Sequence, residues 1–411
     1  MTAFPEHGTS WADLSQEFDT ATGADADWRA GRVPLYVFHA NDTVSEIGRN
    51  AYNRFFSENA LGARRAFGSL KRMEEEVVAM ALDLFNAPDG AAGHMTSGGS
   101  ESIFLAVKAA REHHRARHGG RTALNMVLPA SGHPAFDKAA QVMDIEVRRV
   151  PLGSDLRADV EAMARVVDGQ TVLILGSAPC FPHGIFDPLA ALSALAASTG
   201  TWLHVDACVG GYLTPFARAI GRPVPEFDLA LPGVASLSAD LHKYGFTPKP
   251  ASTVFFRRIE DMERNAFAFD DWPNGNYLTR TMTGTRPGGA IAGAWAVLRH
   301  LGRSGYEQVA RDLFAMVDGY AAGIRAIPGL ALHAEPELAI LNWGWEEGDI
   351  FAVAERMAER GWVPGLTQRP KGMHAMLSML HAPARERYLA DLASAVEAAR
   401  GSASAGISAS Y

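Results

Sequence analysis

Apolar and polar positions alternate in blocks along this chain, and the spacing inside each block separates strands from helices. From Arg72 the stretch RMEEEVVAMALDLFNA sets Met73, Val77, Met80, Ala81 and Leu84 on one helical stripe. A turn of small residues, HMTSGGS, follows and runs straight into a second periodic stretch, ESIFLAVKAAREHH, for which Ser100 or a neighbour is the N-cap. Beyond it, short apolar runs and amphipathic stretches take turns. LNMVLP, EVRRVPL, TVLILGSAP and WLHVDA read as strands, and HPAFDKAAQVM, RADVEAMARVV and PLAALSALAAST as the helices between them. Strands and helices alternating at this spacing imply right-handed crossovers, hence a mostly parallel sheet covered by helices. The segments from Val234 to Ser238 and STVFFR are expected to close its far edge.

The ends of the chain follow other patterns. The first 40 residues are polar and irregular and read as an arm that packs on something larger. AIAGAWAVLRHLG starts a long helical region connecting two lobes. From Leu330 to Arg400 the segments LALHA, LAILNWGW, DIFAVAERMAERG and YLADLASAVEAA give a small α/β domain its own strands and helices. The closing GSASAGISASY is small and polar, and disorder is expected there. The resulting division is an N-terminal arm (1–60), a large domain (61–298), a small C-terminal domain (299–400) and a tail (401–411).

Composition changes this picture little but removes alternatives. A chain of 411 residues exceeds the usual single core, so two domains are the prior. With 47% hydrophobic and 20% charged residues it has the balance of a globular enzyme. A formal charge of -8 argues against a nucleic-acid surface or an anionic-membrane surface. No apolar run reaches the length of a membrane span, and the N-terminus lacks the pattern of a secretory signal. The two cysteines, Cys180 and Cys208, fit no metal pattern, and the expected setting is cytoplasmic. His114 and His118 lie one helical turn apart, but nothing completes a ligand set, so they read as a solvated helix end rather than a metal site.

Chemistry enters at the loops that follow the strands, where open parallel sheets bind ligands. TSGGSES fits either a tight turn or a phosphate cradle, since glycines let backbone N–H groups approach and the helix start adds positive charge. His133, in SGHPAF, is either a capping residue or a stacking partner for a flat cofactor. Asp206 ends an apolar strand, either in a structural salt bridge or as the counter-charge of a protonated ring nitrogen. Lys243, in SADLHKYGFTPKPASTVFFR, sits just before a buried strand, where lysine is rare unless paired or chemically used. These are the four parts of a pyridoxal 5'-phosphate site, in one chain order. Burial is expected to lower the pKa of Lys243, so that its neutral amine attacks the cofactor aldehyde.

With these residues in place the chain resembles the group II pyridoxal-phosphate decarboxylases, and among them the sphingosine-1-phosphate lyases. The resemblance rests on RMEEEVVAMALDLFNA, TSGGSESIFLAVKAARE, HPAFDKAA, GSAPCFPHGIFDPL, WLHVDACVGGY, LSADLHKYGFTPKPAS and YLTRTMTGTRPGGAIAGAWAVL, from about Arg72 to Leu298. It implies a fold-type I, aspartate-aminotransferase-like subunit with a mostly parallel seven-stranded sheet, working as a homodimer with shared active sites. It makes Lys243 the residue bonded to the cofactor, Asp206 the partner of the pyridine nitrogen and His133 the stacked ring. Gly99, Ser100, Ser238 and His242 would hold the cofactor phosphate, with Gly284 and Thr285 reaching in from the other subunit. Lys249 matches the lysine that meets a substrate phosphate. The chain departs from the lyase pattern where ENALGARRAF replaces an NPLH segment, keeping Asn59 but not the histidine. It departs again at Phe38, where a tyrosine is expected, and at Pro250, where a glycine is. All three lie on the substrate side, with Phe38, Asn59 and Lys249 as candidate substrate contacts.

The leading reading is a carbon–carbon lyase that cleaves a small amine or amino-acid-like substrate in retro-aldol fashion. An α-decarboxylase of an L-amino acid is the second, and a cofactor-binding protein without turnover the third. Arg286, in GTRPGG, either anchors an interface loop or faces a substrate anion. Cys180 and Cys208 each lie beside a site strand.

Overall fold

The computed structural model describes residues 3–119 and 123–409. The arm begins with α1 (Trp11–Thr22), whose N-cap Ser10 accepts through Oγ from the Asp13 N–H. The irregular first 40 residues expected from the sequence thus contain a helix. Because α1 buries none of its residues, it has no apolar stripe to read. Helix α2 (Asp42–Arg54) is capped in the same way by Asn41, which accepts from the Val44 N–H at 2.9 Å. Helix α3 (Gly68–Leu84) buries Leu70, Met73, Val77 and Ala81, while Met80 and Leu84 are only partly covered.

Next come β1 (Ala92–Thr96), α4 (Gly99–His118), β2 (Leu124–Pro129), α5 (Ala135–Met143), β3 (Ile145–Val150), α6 (Val160–Val166) and β4 (Thr171–Ser177). They are followed by α7 (Leu189–Thr199), β5 (Trp202–Asp206), α8 (Thr214–Ala219), β6 (Val234–Ala239), β7 (Ser252–Phe256) and α9 (Ile259–Asn265). The seven strands form one sheet in the order β1-β7-β6-β5-β4-β2-β3. Strands β2 to β6 pair in parallel, and every residue of β2, β4 and β5 is buried, as expected for strands with helices on both faces.

The far edge differs from expectation. Strand β7 is antiparallel to β6 and interior, and β1 pairs antiparallel with β7 to take the edge. The AGHMT of β1 has too few β-branched or aromatic residues to stand out from the glycine-rich turn after it.

A short hairpin, β8 (Phe267–Phe269) and β9 (Tyr277–Thr279), leads to α10 (Gly288–Arg325), which bends at Gly302, where φ is 55°. Beyond the bend, β10 (Leu330–Leu332), β11 (Ile340–Trp345), α11 (Ile350–Glu359), β12 (Gly365–Gln368), β13 (Lys371–Met376) and α12 (Arg385–Ala399) build a second sheet, in the order β10-β11-β13-β12, with two helices. The tail is not loose over its described residues. Glu355 accepts from the Ser404 hydroxyl at 2.7 Å and from the N–H groups of Ala405, Gly406 and Ile407, and Ile407 packs on the core. Residues 410–411 of the expected disordered segment lie outside the described residues. A carboxylate gathering successive amides is a tertiary event that composition does not encode.

Candidate active site

A cavity of about 380 Å³ opens at the carboxyl ends of β2, β4, β5 and β6, and Gly99, Ser100, His133, Asp206, His242 and Lys243 lie on its wall. At one side α4 starts without a side-chain cap, and its first backbone bond runs from the Ser102 N–H to Gly98 O. The N–H groups of Gly99 and Ser100 therefore remain available to an anion, with the dipole of a 20-residue helix behind them. Gly99 is required by space: a Cβ there would stand 2.8 Å from Cys208 Sγ and 3.0 Å from Asp240 Oδ1. Glu101 ties this turn down, accepting from the Ser97 N–H at 2.6 Å and from the Met282 N–H at 2.7 Å.

Asp206 ends β5, buried, and its Oδ1 accepts from the Cys208 N–H at 3.0 Å. His133 Nδ1 accepts from the Ala135 N–H at 3.1 Å, which leaves the ring hydrogen on Nε2. Burial lowers the His133 pKa, with Asp206 opposing, so the ring stands neutral near pH 7. His242 Nδ1 accepts from the Ala251 N–H at 3.3 Å, and its pKa is likewise lowered, chiefly by burial.

Lys243 departs from expectation. Its Nζ lies 3.0 Å from Asp240 Oδ2, and the Asp240 carboxylate is 3% exposed. Burial alone pulls the ammonium down, but Asp240, with Asp206, more than offsets it, and the Lys243 pKa is raised. Desolvation does not set the balance at Lys243, because an acid three residues upstream faces its amine. The same balance acts on Asp240: burial pushes its carboxyl up, Lys243 and His242 pull it down, and the pull wins.

The remaining candidates fall into three other places. Ser238 lies beneath the cavity: its Oγ is 3.1 Å from His204 Nε2 and 3.3 Å from Cys208 Sγ, and the side chain is fully buried. Phe38 and Lys249 line a separate cavity of about 340 Å³ beside α2. There the Phe38 ring meets Tyr244 edge-on at 5.0 Å, and Lys249 Nζ donates to Tyr36 O at 2.8 Å. Asn59 donates to Thr285 Oγ1 at 3.2 Å and accepts from the Leu61 N–H, so it braces the loop that carries Gly284 and Thr285. That loop borders a third cavity and is absent from the wall around Lys243.

Arg286, the two cysteines and the His114–His118 pair each have a defined setting. Arg286 forms a two-pronged ion pair with Glu74, at 2.5 and 2.9 Å, which fits an anchor. Cys208 is on the cavity wall, whereas Cys180 is buried away from it, its thiol pushed up to about 12, mainly by burial. The rings of His114 and His118 are 4.4 Å apart, and no group of three or more metal-ligating side chains occurs among the described residues. Asp240 is the site residue that sequence reasoning passed over. The signal was its place three residues before the lysine in SADLHK, one turn away.

Comparison with known proteins gives the family and fold. The profile of the pyridoxal-dependent decarboxylase conserved domain matches residues 67–343. The chain is 37% identical to a sphingosine-1-phosphate lyase of Oryza sativa subsp. japonica over 404 residues, covering 96% of this chain and 74% of that protein. It is 42% identical to a sphingosine-1-phosphate lyase of Arabidopsis thaliana, over 80% of this chain and 62% of that one. The solved structure of the Burkholderia pseudomallei sphingosine-1-phosphate lyase superposes with a TM-score of 0.93 at 36% identity, covering 97% of this chain and 93% of the other.

Proposed function

We infer the function of this chain from the premise that it belongs to the pyridoxal-dependent decarboxylase family. It is a fold-type I, pyridoxal 5'-phosphate-dependent lyase of the sphingosine-1-phosphate lyase type. The residues of the 380 Å³ cavity fit that cofactor. An uncapped helix start, a glycine whose Cβ would fill the cradle and a buried amine beside a buried carboxylate match a phosphate, a flat ring and an aldehyde in turn. When bound, the cofactor supplies an electron sink for the bond that breaks.

The N–H groups of Gly99 and Ser100, with His242, hold the phosphate, and Ser238 supports that floor from below. His133 would present a neutral ring to the cofactor face, and Asp206 would keep a proton on the pyridine nitrogen. Lys243 would be the amine that holds the cofactor through its aldehyde. Gly284 and Thr285 serve the site of a second copy. Their loop is away from their own Lys243, and the neighbouring Phe267, Trp272, Leu278 and Met282 expose apolar surface of the kind an interface covers. Among the described residues no helix is long and apolar enough to cross a membrane. Two buried free cysteines support a reducing, cytoplasmic setting.

The reaction proposed is retro-aldol cleavage of a small amine carrying a β-hydroxyl group, with Lys249 near the distal end of the substrate. The observation that carries the reading is the buried pair of Lys243 and Asp240 in the same cavity as Asp206. One feature favours α-decarboxylation of a compact amino acid instead: Lys249 is held by Tyr36 O in a cavity whose lining is separate from that of Lys243. Assaying aldehyde and carbon dioxide release on a panel of hydroxylated amines and L-amino acids decides between them. Aldehyde without carbon dioxide is the expected result, and neither product from any member of the panel would sink both readings.

A further inference from the structure

The turn that carries Lys243 is built around Asp240. The Asp240 N–H donates to Cys208 O at 3.2 Å, the Lys243 N–H donates back to Asp240 O at 3.3 Å, and the His242 N–H donates to Ala251 O at 3.0 Å. Three backbone bonds therefore fix the carboxylate and the amine on one side of one turn, with Nζ 3.0 Å from Oδ2. The second oxygen, Oδ1, is buried without a hydrogen-bond partner, and Oδ2 also stands 3.8 Å from His242 Nε2, so the Lys243 ammonium is the nearest charge compensating this carboxylate.

We propose that Asp240 is the positioning residue of the catalytic lysine, holding its free ε-ammonium in the cavity and setting the pH at which that amine becomes a nucleophile. When Nζ gives up its proton, Oδ2 is the acceptor within hydrogen-bond reach. An ammonium–carboxylate pair then becomes an amine–carboxylic acid pair without change in net charge, a transfer that a buried site tolerates.

The other groups facing the pair are few. From β5 comes Asp206, whose negative charge supports the ammonium, while Cys208 in the loop after it stays a neutral thiol because burial raises its pKa well above the usual range. His133, ahead of α5, and His242 and Lys249, on the lysine's own segment, oppose it when charged. Glu101 on α4 is committed to Ser97 and Met282, and Tyr212 to Thr253. Asp240 is the one carboxylate in contact with Nζ among the described residues.

The proposal rests on the reading of Lys243 as the amine that bonds the cofactor, but its test is made on full-length protein stripped of cofactor. Its failure therefore leaves the lyase assay untouched. Competitive labelling with acetic anhydride, followed by peptide mass spectrometry, gives the pH midpoint of Lys243 with the exposed Lys138 as reference. In the native protein Lys243 is expected to label only at pH values above those at which Lys138 does. In D240N the Lys243 midpoint falls, and labelling at neutral pH quickens on the order of tenfold, the change that one pKa unit produces. D240E keeps the high midpoint. Lys243 labelling in step with Lys138 or earlier, or a D240N midpoint equal to the native one, overturns the proposal. The native arm decides alone if D240N does not fold.

Discussion

Lys243 is understood only with its neighbours. An isolated buried amine would be neutral at pH 7, whereas one 3.0 Å from a buried carboxylate is charged, because at this range attraction in a poorly solvated site outweighs the cost of burial. The glycines are as specific as the charges. In G99A the added Cβ would meet Cys208 Sγ at 2.8 Å and crowd the start of α4 where an anion is to sit. Overpacking of this kind costs roughly 1–3 kcal/mol. G99A is therefore expected to retain cofactor about ten- to a hundredfold more weakly on dialysis, while its circular dichroism stays native. Retention equal to the native protein would remove Gly99 from the phosphate cradle. Lys243, Asp206, His133 and the glycine turn, singled out in the sequence at strand ends and turns, line one cavity. Asp240 was not singled out, because its effect depends on how the turn folds back, which residue type alone does not report.

The interior parallel strands β2, β4 and β5 were legible as elements for a simple reason: helices cover both faces, and each reads as a short continuous apolar run. Helix α3 was legible through its buried stripe. What escaped were elements without such a pattern. Strand β1 is short and half exposed at its start, α1 buries nothing, and the tail is held by one side chain. That side chain gives a prediction. The amides of the tail hold Glu355 down to about 2, below the usual carboxylate range, so the folded form binds its proton less readily than the unfolded chain does. The contact is therefore complete at neutral pH and is lost as the pH falls toward that value. In E355A, hydrogen exchange at Ala405, Gly406 and Ile407 is expected to accelerate severalfold at neutral pH with lyase turnover unchanged. Unaltered exchange at those amides would show that the tail is held by something else.

At the scale of the molecule, one long helix, α10, bends at Gly302 and packs on α2, α3 and α8 and also on β10 and α12 of the small C-terminal sheet layer. Both sheets and the connecting helix were legible in the sequence, but not how the candidate residues divide among cavities. The cofactor-side group gathers around Lys243. Phe38 and Lys249 stand in a second cavity, and Gly284 with Thr285 on a third surface. Such a division is a property of the folded chain, and of a second copy where a site is shared. The substrate-side departures at Phe38 and Pro250 lie at or beside the second cavity, which is where a difference in substrate from the compared lyases would be written. The proposed function depends on Lys243 being the residue that bonds the cofactor aldehyde. The most direct measurement is to load the full-length protein with pyridoxal 5'-phosphate, fix the bond with borohydride and map the modified peptide by mass spectrometry. The account predicts a single cofactor adduct on Lys243, absent in K243A. An adduct on another lysine, or none on a folded and fully loaded protein, would contradict it.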